Sequence, residues 1–188
     1  MSTADFLFTP TVQRVLALAL AQPERTFTLQ ELLDRAGGGH GGAQKQIDKL
    51  LNAGVLSEES KQGRQRRIRA NTSFFLYPEL RAIARKSFAL AEPLRNALKP
   101  FESQIKEAFV FGSVAKEKDT FRSDVDLVVV GTANLFALNE ALQQVERDLG
   151  RPIHLSLYGP DEWERLKNTD PVVAQIDAGD KMRLIPHD

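Results

Sequence analysis

Phe109-Val110-Phe111-Gly112-Ser113-Val114-Ala115, continued after a polar stretch by Arg122-Ser123-Asp124-Val125-Asp126-Leu127-Val128-Val129-Val130, decides how this chain is read. The stretch begins as an apolar run of strand character and breaks at Gly-Ser. It re-enters a second apolar run headed by two carboxylates. Alternate residues of a strand share a face, so Asp124 and Asp126 are expected to project together while Val125 and Leu127 turn into a core. Two carboxylates on one face repel unless a cation lies between them, and Mg2+ accompanied by phosphate oxygens meets that need. Gly112 lets the backbone come close to a phosphate, and Ser113 with the N–H groups after it can donate to phosphate oxygens. Lys116, Lys118 and Arg122 add positive charge in the connecting loop.

C-terminal to this segment, Asn134 to Leu149 reads as a helix ended by Gly150. Pro152 to Tyr158 alternates as a further strand, with Ile153, Leu155 and Leu157 inward and His154 and Ser156 on the opposite face. A capped helix is expected from Gly159 onward, with Trp163 packing on the sheet. Another is expected over Pro171 to Ala178, and a last strand at Met182 to Ile185. Trp163 and Tyr158 are expected as core anchors.

N-terminal to the segment, Val12, Val15, Leu16, Ala19 and Leu20 lie at helical spacing ahead of Pro23. Thr28 and Glu31 form the S/T-x-x-E capping pattern for a second helix through Ala36. Gly37 to Gly42 reads as a glycine-rich turn, with His40 as a solvated loop residue. Ala43 to Ala53 reads as a third helix closed by Gly54. Strands begin at Val55-Leu56 and at Arg67-Ile68-Arg69. Between Lys61 and Arg69 lie five cations (Lys61, Arg64, Arg66, Arg67, Arg69), enough to neutralise several phosphates. A long helical region from Pro78 to about Leu98 follows, broken or restarted at Pro93.

The 188 residues include 25 Lys+Arg, 25 Asp+Glu and no Cys, which excludes disulfides, thiolate metal sites and a cysteine nucleophile. The neutral total conceals an asymmetry: residues 1–90 hold 13 basic and 8 acidic side chains, residues 91–188 hold 12 and 17, so the halves carry +5 and −5. A basic half suits a polyanionic partner. No apolar run approaches the length of a membrane span, and the N-terminus lacks the basic region of a secretory signal. A cytoplasmic protein without membrane attachment is expected.

Two resemblances carry these readings further. Val12 to Asn71, three helices and a basic hairpin, resembles the winged helix-turn-helix domains that bind double-stranded DNA. That resemblance assigns Gln44, Lys45, Asp48 and Lys49 to the exposed face of a recognition helix, and Lys61, Arg64, Arg66 and Arg67 to a wing. Ile105 to Leu157 resembles the nucleotidyltransferase superfamily related to DNA polymerase beta, on Gly112, Ser113, Asp124 and Asp126. It implies a mixed sheet, Mg2+ held by the two aspartates against an NTP, and a third carboxylate on a later strand. That third position falls on His154, and Glu117 stands where active small members have Gly or a basic residue.

The resulting expectation is an α+β chain: a winged helix over 1–76, linker helices over 77–104, and an α/β nucleotidyltransferase-like domain with a mixed sheet over 105–188. The functional expectation is a homodimeric DNA-binding transcription regulator whose second domain binds Mg-NTP but lacks the third carboxylate. Its nucleotide contacts would be Gly112, Ser113, Lys116 and Arg122, with Asp124, Asp126 and His154 at the reacting position. An active transferase moving NMP to a small molecule, protein or RNA is the alternative. An antitoxin-type interaction module is a third.

Overall fold

The computed structural model describes residues 2–37, 39–59, 66–115 and 123–186. Two compact units divide the chain, Met1–Glu92 and Pro93–Asp188. The segment expected to link two domains, 77–104, is shared between them. Among the described residues no helix is long and apolar enough to cross a membrane.

The first unit opens with α1 (Pro10–Ala21), whose buried Val12, Val15, Leu16, Ala19 and Leu20 fall on one face, as their spacing requires. Strand β1 (Phe27–Thr28) and helix α2 (Leu29–Ala36) follow, and Thr28 and Glu31 close the expected capping box. The Glu31 carboxylate accepts the Thr28 N–H at 2.6 Å, and chiefly this bond, against the opposing effect of burial, holds its pKa below the ordinary value.

Helix α3 spans His40–Asn52, three residues longer at its start than expected. The glycine-rich stretch is therefore only partly a turn: His40, Gly41 and Gly42 form the first helical turn, and the Gly42 and Ala43 N–H groups donate to the Gly39 carbonyl at 3.1 Å. Buried Ala43 and Ile47 anchor this helix to the core, which offsets the entropic cost of two glycines.

Strands β2 (Leu56–Glu59) and β3 (Arg67–Ala70) pair antiparallel, and β1 adds to the outer side of β3 with Phe27 opposite Ile68. The sheet order is β1-β3-β2. A two-residue strand gives too little alternation to be read from sequence, and β1 was not expected. Phe27, Leu32, Ile47, Leu56 and Ile68 are the fully buried centre of this unit.

Helix α4 (Tyr77–Lys86) packs on α1. The expected long helix breaks at Ser87 rather than at Pro93. The Ser87 hydroxyl donates to the Ile83 carbonyl at 2.6 Å, and its backbone leaves helical space at φ −125, ψ −116. Pro93 sits inside the first turn of α5 (Ala91–Leu98), where a missing N–H costs nothing.

The second unit is built on a four-stranded mixed sheet of order β6-β5-β4-β7. A 3-10 segment, Lys99–Gln104, leads into β4 (Ile105–Phe111). Next come a single helical turn α6 (Gly112–Ala115), β5 (Val125–Gly131), α7 (Leu135–Leu149) and β6 (Ile153–Tyr158). Helices α8 (Pro160–Thr169) and α9 (Pro171–Ala178) precede β7 (Met182–Ile185). Strand β5 runs antiparallel to β4 and parallel to β6, while β7 runs antiparallel to β4.

Strand β5 is buried on both faces, which is why its sequence is a continuous apolar run after Asp126. One face carries Val128 and Val130 beneath Trp163 of α8 and Val173 of α9. Trp163 is 2% exposed, with Phe109 and Tyr158 rings 5.9 and 5.1 Å from its own. Trp163 thus anchors the core as expected, while Tyr158 is only half-buried. Asn134 caps α7 by accepting the Phe136 and Ala137 N–H groups. Asp170 does the same for α9.

Candidate functional site

Asp126 is the second residue of β5 and pairs laterally with two neighbours. Phe111 is its antiparallel partner on β4, and His154 its parallel partner on β6. Three consecutive ladder positions therefore bring Phe111, Asp126 and His154 side by side at one end of the sheet. Asp124 lies just before the strand. His154 Nε2 stands 3.0 Å from Asp124 Oδ2, and since an ionised carboxylate only accepts, the shared proton sits on the imidazole. Both side chains remain substantially exposed, 64% for His154 and 45% for Asp124.

Asp126 is more enclosed. Burial pushes its carboxyl above the ordinary value; His154 opposes that rise, and the neighbouring Asp124 charge adds to it. The cause of the enclosure is Gly112. This residue turns the chain from β4 into α6 at φ +75, and a Cβ placed on it would stand 2.7 Å from Asp126 Oδ2. The carboxylate occupies the space that any other residue's side chain would take. Ser113 follows in the same turn, half-buried.

The backbone at Asp124 is fixed by a residue that sequence reading did not single out. Arg151 is 7% exposed, and its Nε donates to the Ser123 carbonyl at 2.7 Å. The Val125 N–H donates to the Pro152 carbonyl at 2.9 Å, so the two residues that lead into β6 hold the chain on both sides of Asp124. A cation directly after a helix-ending glycine carries no local signal of such a role. Only strand pairing creates it.

Among the described residues, no group of three His, Cys, Asp or Glu side chains is placed to hold a metal ion. The donor chemistry fits a divalent ion that takes two carboxylates and completes its shell with phosphate oxygens and water. It does not fit a three-carboxylate set, because His154 stands beside Asp126 and hydrogen-bonds to Asp124. Lys116 and Arg122 lie outside the described residues, as does Glu117.

In the first unit, Gln44, Lys45 and Lys49 are exposed on α3, and Arg67 is exposed on β3. Arg66 is placed differently from the free wing cation expected of it. Its guanidinium is 3.1 Å from Asp48 of α3 and 3.0 Å from Glu58 of β2, and these bonds raise its pKa. Arg69 pairs with Glu59 at 3.3 Å. Two of the five cations therefore compensate neighbouring acids, which charge counting along the sequence does not register. Lys61 and Arg64 lie outside the described residues.

Residues 92–176 match the family model of the nucleotidyltransferase domain. The match covers most of the second unit and less than half of the chain. No curated protein matches the sequence. Among solved structures, a candidate nucleotidyltransferase from Sulfolobus solfataricus is similar at 19% identity over 54% of this chain and 84% of that one, with a TM-score of 0.32. The sequence match over residues 92–176 places the likeness to nucleotidyltransferase domains in the second unit.

Proposed function

We propose that the protein is a DNA-binding regulator whose nucleotidyltransferase-fold domain binds an Mg-nucleotide and retains it without transferring it. The observation that carries this reading is the His154 position. The parallel register sets this imidazole beside Asp126, its Nε2 donates to Asp124 at 3.0 Å, and the carboxylate that a second metal would need is missing there. Imidazole is a poor ligand for a hard cation.

Asp124 and Asp126 would hold the Mg2+, which when bound neutralises triphosphate charge and relieves the repulsion between the two carboxylates. The Gly112–Ser113 turn would receive the phosphates, with the Ser113 hydroxyl as donor. Arg151 holds the Ser123 carbonyl and so keeps Asp124 in place. His154 restrains Asp124 in a single orientation rather than accepting a proton from an acceptor.

For the first unit, the order α1, β1, α2, α3, β2, β3 with sheet order β1-β3-β2 supports a winged helix-turn-helix reading. Gln44, Lys45 and Lys49 would face double-stranded DNA from α3, and Arg67 would reach phosphate from the hairpin. A homodimer reading two half-sites follows from that mode of binding.

One incubation tests the nucleotide reading: purified protein with Mg2+ and α-labelled ATP or GTP, scored for retention and for covalent transfer. Retention that is lost in Asp124→Asn with Asp126→Asn, and no transfer to protein or RNA, is the expected result. Transferred label would replace this reading with an active transferase, which the Gly112–Asp126 arrangement favours.

A further inference from the structure

Helix α9 ends at Ala178, the chain turns at Gly179 and Asp180, and β7 then pairs along β4 with Met182 opposite Val110. A Cβ on Gly179 would meet the Gln175 carbonyl at 3.1 Å, so the turn closes tightly over the last turn of α9. This brings the end of α9 beside the end of β4 and leaves a cleft of about 270 Å3 against Gly112. Phe111, Val172 and Ile176 give it apolar walls, and Gln175 and Asp180 give it polar ones. Phe111 is the ladder partner of Asp126, so both side chains lie on the same face of the sheet. The cleft therefore opens on the carboxylate side of the sheet, directly beyond the Gly-Ser turn.

We infer that this cleft is a base pocket selective for guanine, an inference that rests on nucleotide binding at the neighbouring Gly112–Asp126 site. The cleft has room for a purine ring, and apolar walls with few polar groups are the usual form of such a site. The polar groups fix which purine. Gln175 and Asp180 are both exposed, and among the described residues neither makes a side-chain hydrogen bond, so both can turn to a ligand. A carboxylate only accepts hydrogen bonds. Guanine offers it two adjacent donors, N1–H and N2–H, whereas adenine presents an acceptor at N1 that the carboxylate repels. The Gln175 amide can donate to guanine O6. Gln175 and Asp180 are exposed in the free protein, so discrimination comes from the bound base covering them, which leaves a polar group unpaired under the wrong base.

The test uses the full chain with Mg2+ and three nucleotides, GTP, ATP and XTP, titrated calorimetrically against the parent and Asp180→Asn. The parent is expected to bind GTP about tenfold or more tighter than ATP. Asp180→Asn is expected to lose that preference and to gain XTP affinity, because an amide N–H meets the O2 carbonyl that xanthine has in place of the guanine amine. A gain for one nucleotide cannot arise from misfolding. Equal GTP and ATP affinities, unmoved by Asp180→Asn but abolished by Asp124→Asn with Asp126→Asn, would overturn the base pocket and leave the phosphate site standing. Failure of every nucleotide to bind the parent would overturn both.

Discussion

The carboxylate of Asp126 lies in the space a side chain on Gly112 would fill, with Oδ2 2.7 Å from the position of a Cβ there. The strand end that carries the acid and the turn that follows the neighbouring strand are one object. Gly112 is required twice over, by its φ of +75 and by the oxygen above it.

Gly112→Ala is therefore expected to cost about 1–2 kcal/mol of stability from the left-handed backbone alone. It should also displace the Asp126 carboxylate, so Mg-nucleotide affinity falls by more than stability accounts for. Urea denaturation together with nucleotide titration separates the two effects. Unchanged nucleotide affinity in a folded Gly112→Ala protein would count against the phosphate-turn reading.

His154→Asp should replace a hydrogen bond to Asp124 by like-charge repulsion. Without metal, stability is expected to fall by about 0.5 kcal/mol, a small value because both groups face solvent. Added Mg2+ should then raise the melting temperature more than it does in the parent, since a third carboxylate strengthens the ion's hold on the folded state. Thermal unfolding with and without Mg2+ measures this directly.

Arg66 and Arg67 are adjacent and should behave differently. Arg67→Ala removes an exposed cation and is expected to reduce the slope of log affinity against log salt for DNA by about one. Arg66→Ala should leave that slope nearly unchanged while lowering affinity at every salt concentration, because Asp48 and Glu58 lose their shared counter-charge. Fluorescence anisotropy with labelled duplex DNA over a salt series distinguishes them.

The capping box on α2 gives a pH dependence of known sign. The Glu31 pKa is lowered in the folded protein, chiefly by the Thr28 N–H, from an ordinary value of 4.5. Its contribution is complete above that value and disappears as pH falls through the lower folded pKa. Solvent exposure limits the charge part to a few tenths of a kcal/mol, about 0.3. Thr28→Ala should cost about 1 kcal/mol at neutral pH. Glu31→Gln should flatten the acid limb of the stability curve, measured by denaturation between pH 3 and 7.

The carboxylate pair, the Gly-Ser turn, the capping box, the apolar face of α1 and the end of α7 at Gly150 were legible in the sequence. Each rests on a local rule: a period of two in strands, 3.6 in helices, or a fixed offset at a helix end. Those rules act within one element and need no knowledge of its neighbours. Even there they failed where packing overrode propensity, as in the glycines that begin α3 and the helix that stops at Ser87.

What tertiary structure decided lies between elements. His154 meets Asp124 from 30 residues away because β6 pairs in parallel with β5 at one register. Arg151 reaches the Ser123 carbonyl, Arg66 binds Asp48 and Glu58, and Asp180 joins Gly112 around one cleft for the same kind of reason. Register and layer order are set by burial of whole faces against one another. That burial is a property of the assembled sheet, so no stretch of the chain states it alone.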